Sequence, residues 1–497
     1  MIRSYKAISV LCAFLLAAAL FAGCSPSSGK ITPSKPKSLV AQVKPINVRV
    51  LNPPLSAGRG AAPYVSLGTV GQVMTDRINN IQTKYNCTIE YVGNGDWSTR
   101  DDFNQSILTG EPMADIANVG YEPIIQGVGR GGIYAVLNDY TDELDMTDPD
   151  LWDQDIIQRM CTVKGLTFAV SPELRGYERV NAGMVMYFKR SMLQREGLWD
   201  QNNLYDLQKN KEWTWDKFAS IAEKVLKDTN GDGKDDQFGF MRTRYTDVAF
   251  NASNTDDPVK AGFYGVVDNN AVFLGREKAK MDLFDFYRQN GVKGKSWLRS
   301  KDYGQDFYTG PRNDFAAGDF CFMVDNGEVI RTLSEMKMKD TVGVIAVPIG
   351  PDKPTKEYTV GREGCVAWAM PKNVKEPKSV AIIMKELCKP LYTKEEADAG
   401  IEAFLGDYIG NEQDIVDTYK MLGEQPLVCS TDSVFIATWQ PAFAQYMGNI
   451  AQIVENNMTG SDLNKRFGDA VQSSMNVYWK EVMTGWDQAN QDYQDGK

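Results

Sequence analysis

Oxygen-bearing side chains are concentrated in residues 228–240, which read DTNGDGKDDQFGF. Counted from the first Asp, they recur at positions one, three, five and nine, and Gly233 falls at position six. This is the spacing of an EF-hand calcium loop, in which alternate residues of a tightly curled backbone turn their oxygens towards one cation. The predicted ligands are the side chains of Asp228, Asn230, Asp232, Asp236 and Gln237 and the main-chain carbonyl of Lys234.

The loop departs from the EF-hand pattern at position twelve, where Gly239 replaces the bidentate glutamate. Several carboxylates in one curl repel one another without a counter-ion, so we predict a structural calcium ion. The alternative is a solvated turn between a helix ending at Lys227 and a strand beginning at Phe238. A catalytic metal is not expected, because the loop lies between two structural elements.

Residue types and spacings that the chain lacks exclude several kinds of catalytic and metal site. None of its 497 residues is His, which excludes Ser-His-Asp and Cys-His catalysis. The Cys residues after position 24 are widely spaced, with no CxxC pair, so no zinc site is predicted; disulfides and buried free thiols both remain open. The net charge of −11 argues against nucleic-acid binding, which needs a basic surface.

The N-terminus has the features of an export signal. Arg3 and Lys6 precede an uncharged apolar run that ends at Cys24, a pattern typical of a signal peptide rather than of a membrane-spanning helix. The small residues before Cys24 resemble the lipobox of bacterial lipoproteins, in which this Cys carries the lipid. We predict a signal peptide over residues 1–23, lipidation of Cys24 and a flexible tether over residues 24–44. An ordinary cleaved signal peptide is the alternative.

The elements that must position the remaining residues alternate between strand and helix. Strands are predicted over residues 46–52, 87–93 and 114–120, and amphipathic helices over residues 69–85 and 99–109. This βαβαβ run predicts a parallel sheet with helices on its faces and ligands beyond the carboxyl ends of its strands. The helix residues expected to face inwards are Val70, Val73, Ile78, Ile81, Phe103, Ile107 and Leu108.

Further strand and helix patterns follow a polar break at residues 171–182. Thr214 is expected to cap a helix over residues 215–227. Trp215 and Trp368 lie on apolar faces and are expected in the core. The last hundred residues are predicted to be mainly helical.

In this order, the segments resemble an extracellular solute-binding protein of a bacterial carbohydrate ABC importer over the whole chain after the tether. GMVMYFKRSMLQREGL resembles that family's first crossing between lobes, and EWTWDKFASIAEKV its TWxEF helix. NDFAAGDFCFMVDNG resembles its FxxGxxAM segment, and VGVIAVPIGPD with GREGCVAWAMPKNVKEPKSVAIIMKEL its return crossing. The resemblance implies a type II periplasmic-binding-protein fold of the α/β class. Its two lobes, each a mixed sheet flanked by helices, are joined by crossing segments and close on a ligand.

By the same resemblance, the first lobe comprises residues 45–180 and 360–429, and the second residues 181–359 and 430–497. The implied protein is a monomeric, lipid-anchored receptor on the extracytoplasmic face of the cell membrane, and not an enzyme. It captures a sugar, expected to be an oligosaccharide, and delivers it to the permease subunits of the ABC transporter.

Candidate ligand-binding residues lie where strand ends and crossings are expected to meet. Sugars present flat C–H faces and many hydroxyl groups, so aromatic platforms and polar side chains are expected around them. The candidates are Asp96, Trp97, Tyr121 and Glu122 in the first lobe, Asp325, Asn326 and Trp439 in the second, and Arg362 and Glu363 at the return crossing.

Two other functions are alternatives to sugar binding. An exported glycoside hydrolase or lyase needs two carboxylates facing one bond, for which Glu122, Glu173 and Glu363 are available. A receptor for an amino acid or peptide needs a charged clamp, which Arg362 and Asp325 supply.

Overall fold

The computed structural model describes residues 43–51, 68–92, 98–118, 120, 132–291, 294–301, 306, 308–336, 338–410, 412–432 and 441–496. The described strands, in chain order, are β1 (Asn47–Leu51), β2 (Thr88–Val92), β3 (Ile116–Asn118), β4 (Thr162–Val163), β5 (Leu166–Thr167), β6 (Met184–Lys189), β7 (Phe238–Arg242), β8 (Tyr264–Val267), β9 (Asn270–Phe273), β10 (Leu298–Ser300), β11 (Phe320–Asn326), β12 (Val342–Ile345), β13 (Val360–Glu363), β14 (Trp368–Ala369) and β15 (Leu427–Ser430). The described α-helices are Gly68–Tyr85, Ser98–Leu108, Thr141–Leu144, Gln154–Ile156, Tyr177–Ala182, Arg190–Arg195, Leu204–Lys209, Trp215–Ala222, Arg244–Ser253, Lys278–Asn290, Thr309–Ala317, Val329–Glu335, Pro377–Cys388, Ala397–Ile409, Gln413–Gly423, Pro441–Asn456 and Gly460–Gln494.

The first sheet has the strand order β14–β3–β1–β2. β1 lies parallel to both β2 and β3, and two helices connect these strands along the chain, which confirms the predicted βαβαβ run. β14 pairs antiparallel with β3 and places Trp368 opposite Asn118. The chain therefore returns to the first sheet after it has built the second.

The second sheet has the strand order β10–β7–β11–β6–β12. β7, β10 and β11 are parallel, whereas β6 runs antiparallel to its neighbours β11 and β12. All residues of β6 are buried, as expected of an apolar central strand that is covered on both faces. The carboxyl ends of β7, β10, β11 and β12 consequently lie at one edge of this sheet.

A separate parallel pair, β13 with β15, lies on the return path between the sheets and places Arg362 opposite Cys429. Gly361 is needed here because a Cβ at this position would lie 2.9 Å from the Cβ of Ala252, on the helix Arg244–Ser253. The sheets interleave along the chain as a two-lobed clamp requires. The lobe boundaries themselves stay a prediction.

Several local predictions are confirmed. The side chain of Thr214 caps the helix Trp215–Ala222 by accepting the amide of Lys217 at 3.3 Å. Trp215 and Trp368 are buried, as expected for core residues. The cysteines of the described chain are free and buried, which is one of the two alternatives that the sequence left open.

Two local predictions are wrong. Leu108 is 47% exposed, because the helix Ser98–Leu108 turns Phe103 and Ile107 inwards and its last residue falls off that face. The helix predicted over residues 215–227 ends at Ala222, where the chain tightens into a short 3₁₀ turn before the acidic loop.

A buried ion pair ties β7 to the helix that follows it. Arg242 Nε donates to Asp247 Oδ1 at 2.9 Å, and the hydroxyl of Tyr287 donates to the same oxygen at 2.6 Å. Asp247 is fully buried and Arg242 is 8% exposed. Each charge therefore depends on its partner rather than on water.

We expect Asp247→Ala to lower the free energy of unfolding by about 3–5 kcal/mol, because it leaves the Arg242 guanidinium buried without a counter-charge. Asp285→Ala removes a half-exposed partner of Arg288 on a neighbouring helix and should cost no more than about 1 kcal/mol. Denaturant unfolding of both variants measures the difference. Equal stability of the Asp247→Ala variant and the parent contradicts the prediction.

Candidate functional site

The turn that follows β11 is fixed by two tyrosine hydroxyls. Tyr187 and Tyr419 both donate to the carbonyl oxygen of Gly327, at 2.9 and 2.7 Å. Gly327 is required by close approach, since a Cβ there would lie 2.3 Å from the carbonyl oxygen of Val180. The turn thus presents Glu328 at a defined position beside the chain segment that enters the second sheet.

Asp325, at the end of β11, is engaged within the protein. Arg312 Nε and Nη2 donate to its two carboxylate oxygens at 2.8 and 3.0 Å, and the amide of Asn326 donates to Oδ1 at 2.8 Å. Burial raises the pKa of Asp325, and the hydrogen bond from Arg312 opposes this shift. The pair holds Asn326 in place and leaves no oxygen of Asp325 unpartnered.

Glu328 is exposed, but protein surrounds it closely enough that burial raises its pKa. The positive charges of Arg331, Arg312 and Arg362 oppose this shift. An accessible carboxylate that is crowded on its sides lies in a concave part of the surface. In the described chain, the guanidinium of Arg362 has no hydrogen-bond or ion-pair partner, so it is available to a ligand in that concavity.

Two tyrosines form an aromatic pair at the same edge. The ring centroids of Tyr245 and Tyr308 are 5.9 Å apart at an interplanar angle of 39°. Tyr245 is buried, whereas Tyr308 is 39% exposed. Burial, followed by the neighbouring Tyr308, Asp325 and Glu363, raises the pKa of Tyr245, which puts the pair near both the end of β11 and the return crossing. Tyr308 therefore offers an accessible ring backed by a fixed one.

Asp325 and Glu363 both lie near Tyr245, and Arg362 lies near Glu328, but a ligand site formed by these residues stays a prediction. Asp325 and Asn326 end β11, and Arg362 and Glu363 end β13. No sequence motif marks Tyr245, Tyr308 or the role of Glu328, because their proximity depends on how distant elements pack. The predicted residues that lie outside the described chain are Cys24, Asp96, Trp97, Tyr121, Glu122 and Trp439.

Hydrogen bonds of its own maintain the curl of the acidic loop. Both carboxylate oxygens of Asp228 accept backbone amides of the loop, at 2.7 and 2.8 Å, and Asp236 accepts the amide of Thr229 at 3.0 Å. Gln237 is buried, and its Nε2 donates to the carbonyl of Val225 at 2.8 Å, which ties the loop to the preceding turn. Within the described residues, no three or more His, Cys, Asp or Glu side chains converge as metal ligands. Calcium at this loop stays a prediction.

We expect calcium removal to lower the melting temperature, because an ion that binds only the folded state stabilises it by mass action. Thermal unfolding with excess calcium and with a chelator measures the shift. Asp232→Ala removes a predicted ligand oxygen and should greatly reduce the shift, whereas Asp235→Ala, in the same loop but not a predicted ligand, should retain it. A parent protein whose melting temperature is the same in both conditions does not hold calcium.

Asp432 lies just after β15, where the chain leaves the crossing. Its Oδ1 accepts the amide of Tyr264 at 2.9 Å, and its Oδ2 has no partner in the part of the chain described. Burial raises the pKa of Asp432 to about 7, although the hydrogen bond from Tyr264 and the charge of buried Lys280 oppose the shift. Between its usual pKa of 3.8 and about 7, the folded protein therefore keeps a proton that the unfolded chain releases.

The free energy of unfolding should therefore fall as the pH rises from about 4 to about 7. Asp432 alone accounts for a decrease on the order of 4 kcal/mol. Asp432→Asn removes the titration and keeps an acceptor for Tyr264, so it should raise the melting temperature at pH 8 and change it little at pH 4. The exposed Asp414→Asn is the control, with similar small effects at both pH values. Equal gains of Asp432→Asn at pH 4 and pH 8 contradict the assignment.

No protein-family model matches the chain, and no curated protein matches it. Solved structures do. UgpB from Mycobacterium tuberculosis, in complex with glycerophosphocholine, has a TM-score of 0.55 at 14% identity, over 88% of this chain and 99% of that one. The galacto-N-biose-/lacto-N-biose I-binding protein of an ABC transporter from Bifidobacterium longum, with lacto-N-biose bound, has a TM-score of 0.55 at 13% identity, over 88% and 98%.

The chain has the two-lobed fold of solute-binding proteins. The GacH receptor of Streptomyces glaucescens, solved unliganded and with acarbose, agrees with a TM-score of 0.54 at 12% identity over 87% of this chain and 99% of that one. The likeness confirms the predicted α/β clamp as a fold.

Proposed function

We propose that this protein is the substrate-binding subunit of an ABC importer and captures a sugar between its lobes. One observation carries the proposal: the second sheet and the return crossing each offer a group to a ligand. Tyr308, beside Tyr245, has an accessible aromatic ring, and the guanidinium of Arg362 at the end of β13 has no hydrogen-bond or ion-pair partner in the described chain. This pairing suits a sugar, which offers a flat C–H face to a ring and hydroxyl groups to polar side chains. The sugar ligands of the lacto-N-biose-binding protein and of GacH support the same class.

Each described residue has a distinct role in this proposal. Tyr308 stacks on one face of the sugar, and Arg362 donates several hydrogen bonds from the crossing. The side-chain carboxamide of Asn326 donates and accepts hydrogen bonds at the end of β11. A ligand held by both lobes and by the crossing favours the closed form only through contacts that the open form lacks. No bond of the sugar is broken.

The alternatives are supported less well. Glu173 is held by Arg179 at 2.5 Å, which takes one carboxylate from a hydrolase site. Asp325 is held by Arg312, so the clamp for an amino acid lacks its anionic half. A phosphodiester ligand needs only the cation, and UgpB was solved with glycerophosphocholine. Arg362 therefore makes a glycerophosphodiester the second candidate.

The same proposal includes the location and the partners. Cys24, carrying a lipid, anchors a monomer to the outer face of the cell membrane, and the tether over residues 24–44 lets it reach the permease subunits. In the part of the chain described here, none of the helices combines the length and the apolar character needed to cross a bilayer.

Calorimetric titration of the purified protein should show binding of at least one neutral or acidic oligosaccharide, with no product released on long incubation. We expect Tyr308→Ala and Arg362→Ala each to weaken that binding at least tenfold, because each removes a direct contact. Arg466→Ala, an exposed arginine far along the chain, is the matched control and should bind as the parent does.

If none of the oligosaccharides binds and glycerophosphocholine does, the ligand class is a glycerophosphodiester and not a sugar. Binding of a peptide or an amino acid alone, or release of a sugar product, contradicts the proposal.

A further inference from the structure

The helix Gly460–Gln494 is the longest in the described chain and contacts both lobes. Its 35 residues span about 52 Å at 1.5 Å per residue. The chain is covalently continuous with the second lobe at the start of this helix. Among the described residues, the hydrogen bond and the ion pair that join this helix to the first lobe are made by its last turns.

The first half of the helix is built into the second lobe. Gln472 docks on β9, where its Oε1 accepts the amide of Phe273 at 2.8 Å and its Nε2 donates to the carbonyl of Ala271 at 3.0 Å. Further along, Trp479 Nε1 donates to the carbonyl of Asn269 at 2.7 Å. These contacts to backbone groups hold the helix from Gly460 to Trp479, called the anchored half below, rigid with respect to the second lobe.

The last turns of the helix reach the first lobe. Asp487 forms an ion pair with Lys164, at the turn between β4 and β5, and the hydroxyl of Tyr493 donates to Asp139 at 2.6 Å. Between these contacts, Ala489 packs so closely on Gly132 that a Cβ at Gly132 would lie 3.1 Å from it.

The partners of these last turns belong to the first lobe. The segment from Gly132 is hydrogen-bonded to the chain that follows β14, since the amide of Ala135 donates to the carbonyl of Met370 at 2.9 Å. The Asp487–Lys164 ion pair and the Tyr493 hydrogen bond are exposed, and contacts of this kind are individually weak.

We propose that the end of this helix is a latch that limits rotation of the two lobes about the crossing strands. The anchored half moves with the second lobe, so the contacts at Lys164, Asp139 and Gly132 must break or slide whenever the lobes rotate. Two of these three contacts are exposed and polar, at Lys164 and Asp139, whereas Ala489 is buried against Gly132. Exposed polar contacts break readily, which suits a reversible restraint. The latch sets the range of lobe orientations without touching the ligand. It rests on the two-lobed fold and not on the nature of the ligand.

The test measures the distribution of distances between spin labels on the two lobes of the unliganded protein. Exposed labels at Asn79→Cys and Lys224→Cys report on the first and second lobes. They are labelled selectively in protein that lacks its export signal and carries Cys24→Ser, because the other cysteines in the described chain are buried.

The combined variant Lys164→Ala and Tyr493→Phe should widen this distribution at least twofold. Ala489→Leu, which forces the helix away from Gly132, should widen it independently. The control is Arg276→Ala, which removes an exposed ion pair with Asp469 in the anchored half and should leave the width unchanged. Circular dichroism verifies that the helix content is the same.

An unchanged width in both latch variants, or equal widening in the control, overturns the latch. Since no ligand is present, this outcome is independent of whether the protein binds a sugar.

Discussion

The parallel pairing of β13 with β15 is the constraint on which the rest of the structure depends. The pair lies outside both larger sheets, and β13 carries the chain from β12, in the second sheet, to β14, in the first. They pack against the helix Arg244–Ser253 so tightly that only glycine fits at residue 361. That contact brings Arg362 and Glu363 to the edge of the second sheet. The position of the candidate site is therefore a consequence of backbone packing.

Buried charge concentrates around this junction. Asp325 with Arg312 and Asp247 with Arg242 are internal pairs at the ends of β11 and β7, and Asp432 is buried beyond β15 without a full set of partners. Charges taken from water contribute little net stability, but removing one partner is costly. Such pairs specify which strand ends meet. Because Arg312 and Arg242 are engaged in them, Arg362 is the arginine whose guanidinium remains available to a ligand among these described residues.

Local and medium-range features followed from the sequence, and distant packing did not. The βαβαβ run, the Thr214 cap and the burial of Trp215 and Trp368 depend on periodicity and on neighbouring residues. The predicted burial of Leu108 was wrong because the helix ends at this residue, which does not lie on the face that Phe103 and Ile107 turn inwards. The Tyr245–Tyr308 pair was not predicted, because residues 63 apart meet only after the second sheet has formed. The ion pair of Asp325 with Arg312 could not be predicted either. The sequence shows a carboxylate at a strand end, and this pattern is the same whether the carboxylate binds a ligand or an arginine.

The docking of Gln472 on β9 has a further consequence. β8 and β9 form a two-stranded ribbon, and an open strand edge is a template for pairing with another polypeptide. The carboxamide of Gln472 occupies an amide and a carbonyl on that edge, as a neighbouring strand would. The C-terminal helix therefore shields the ribbon from strand addition. Copies of the protein therefore lose one route by which their ribbons could pair with one another.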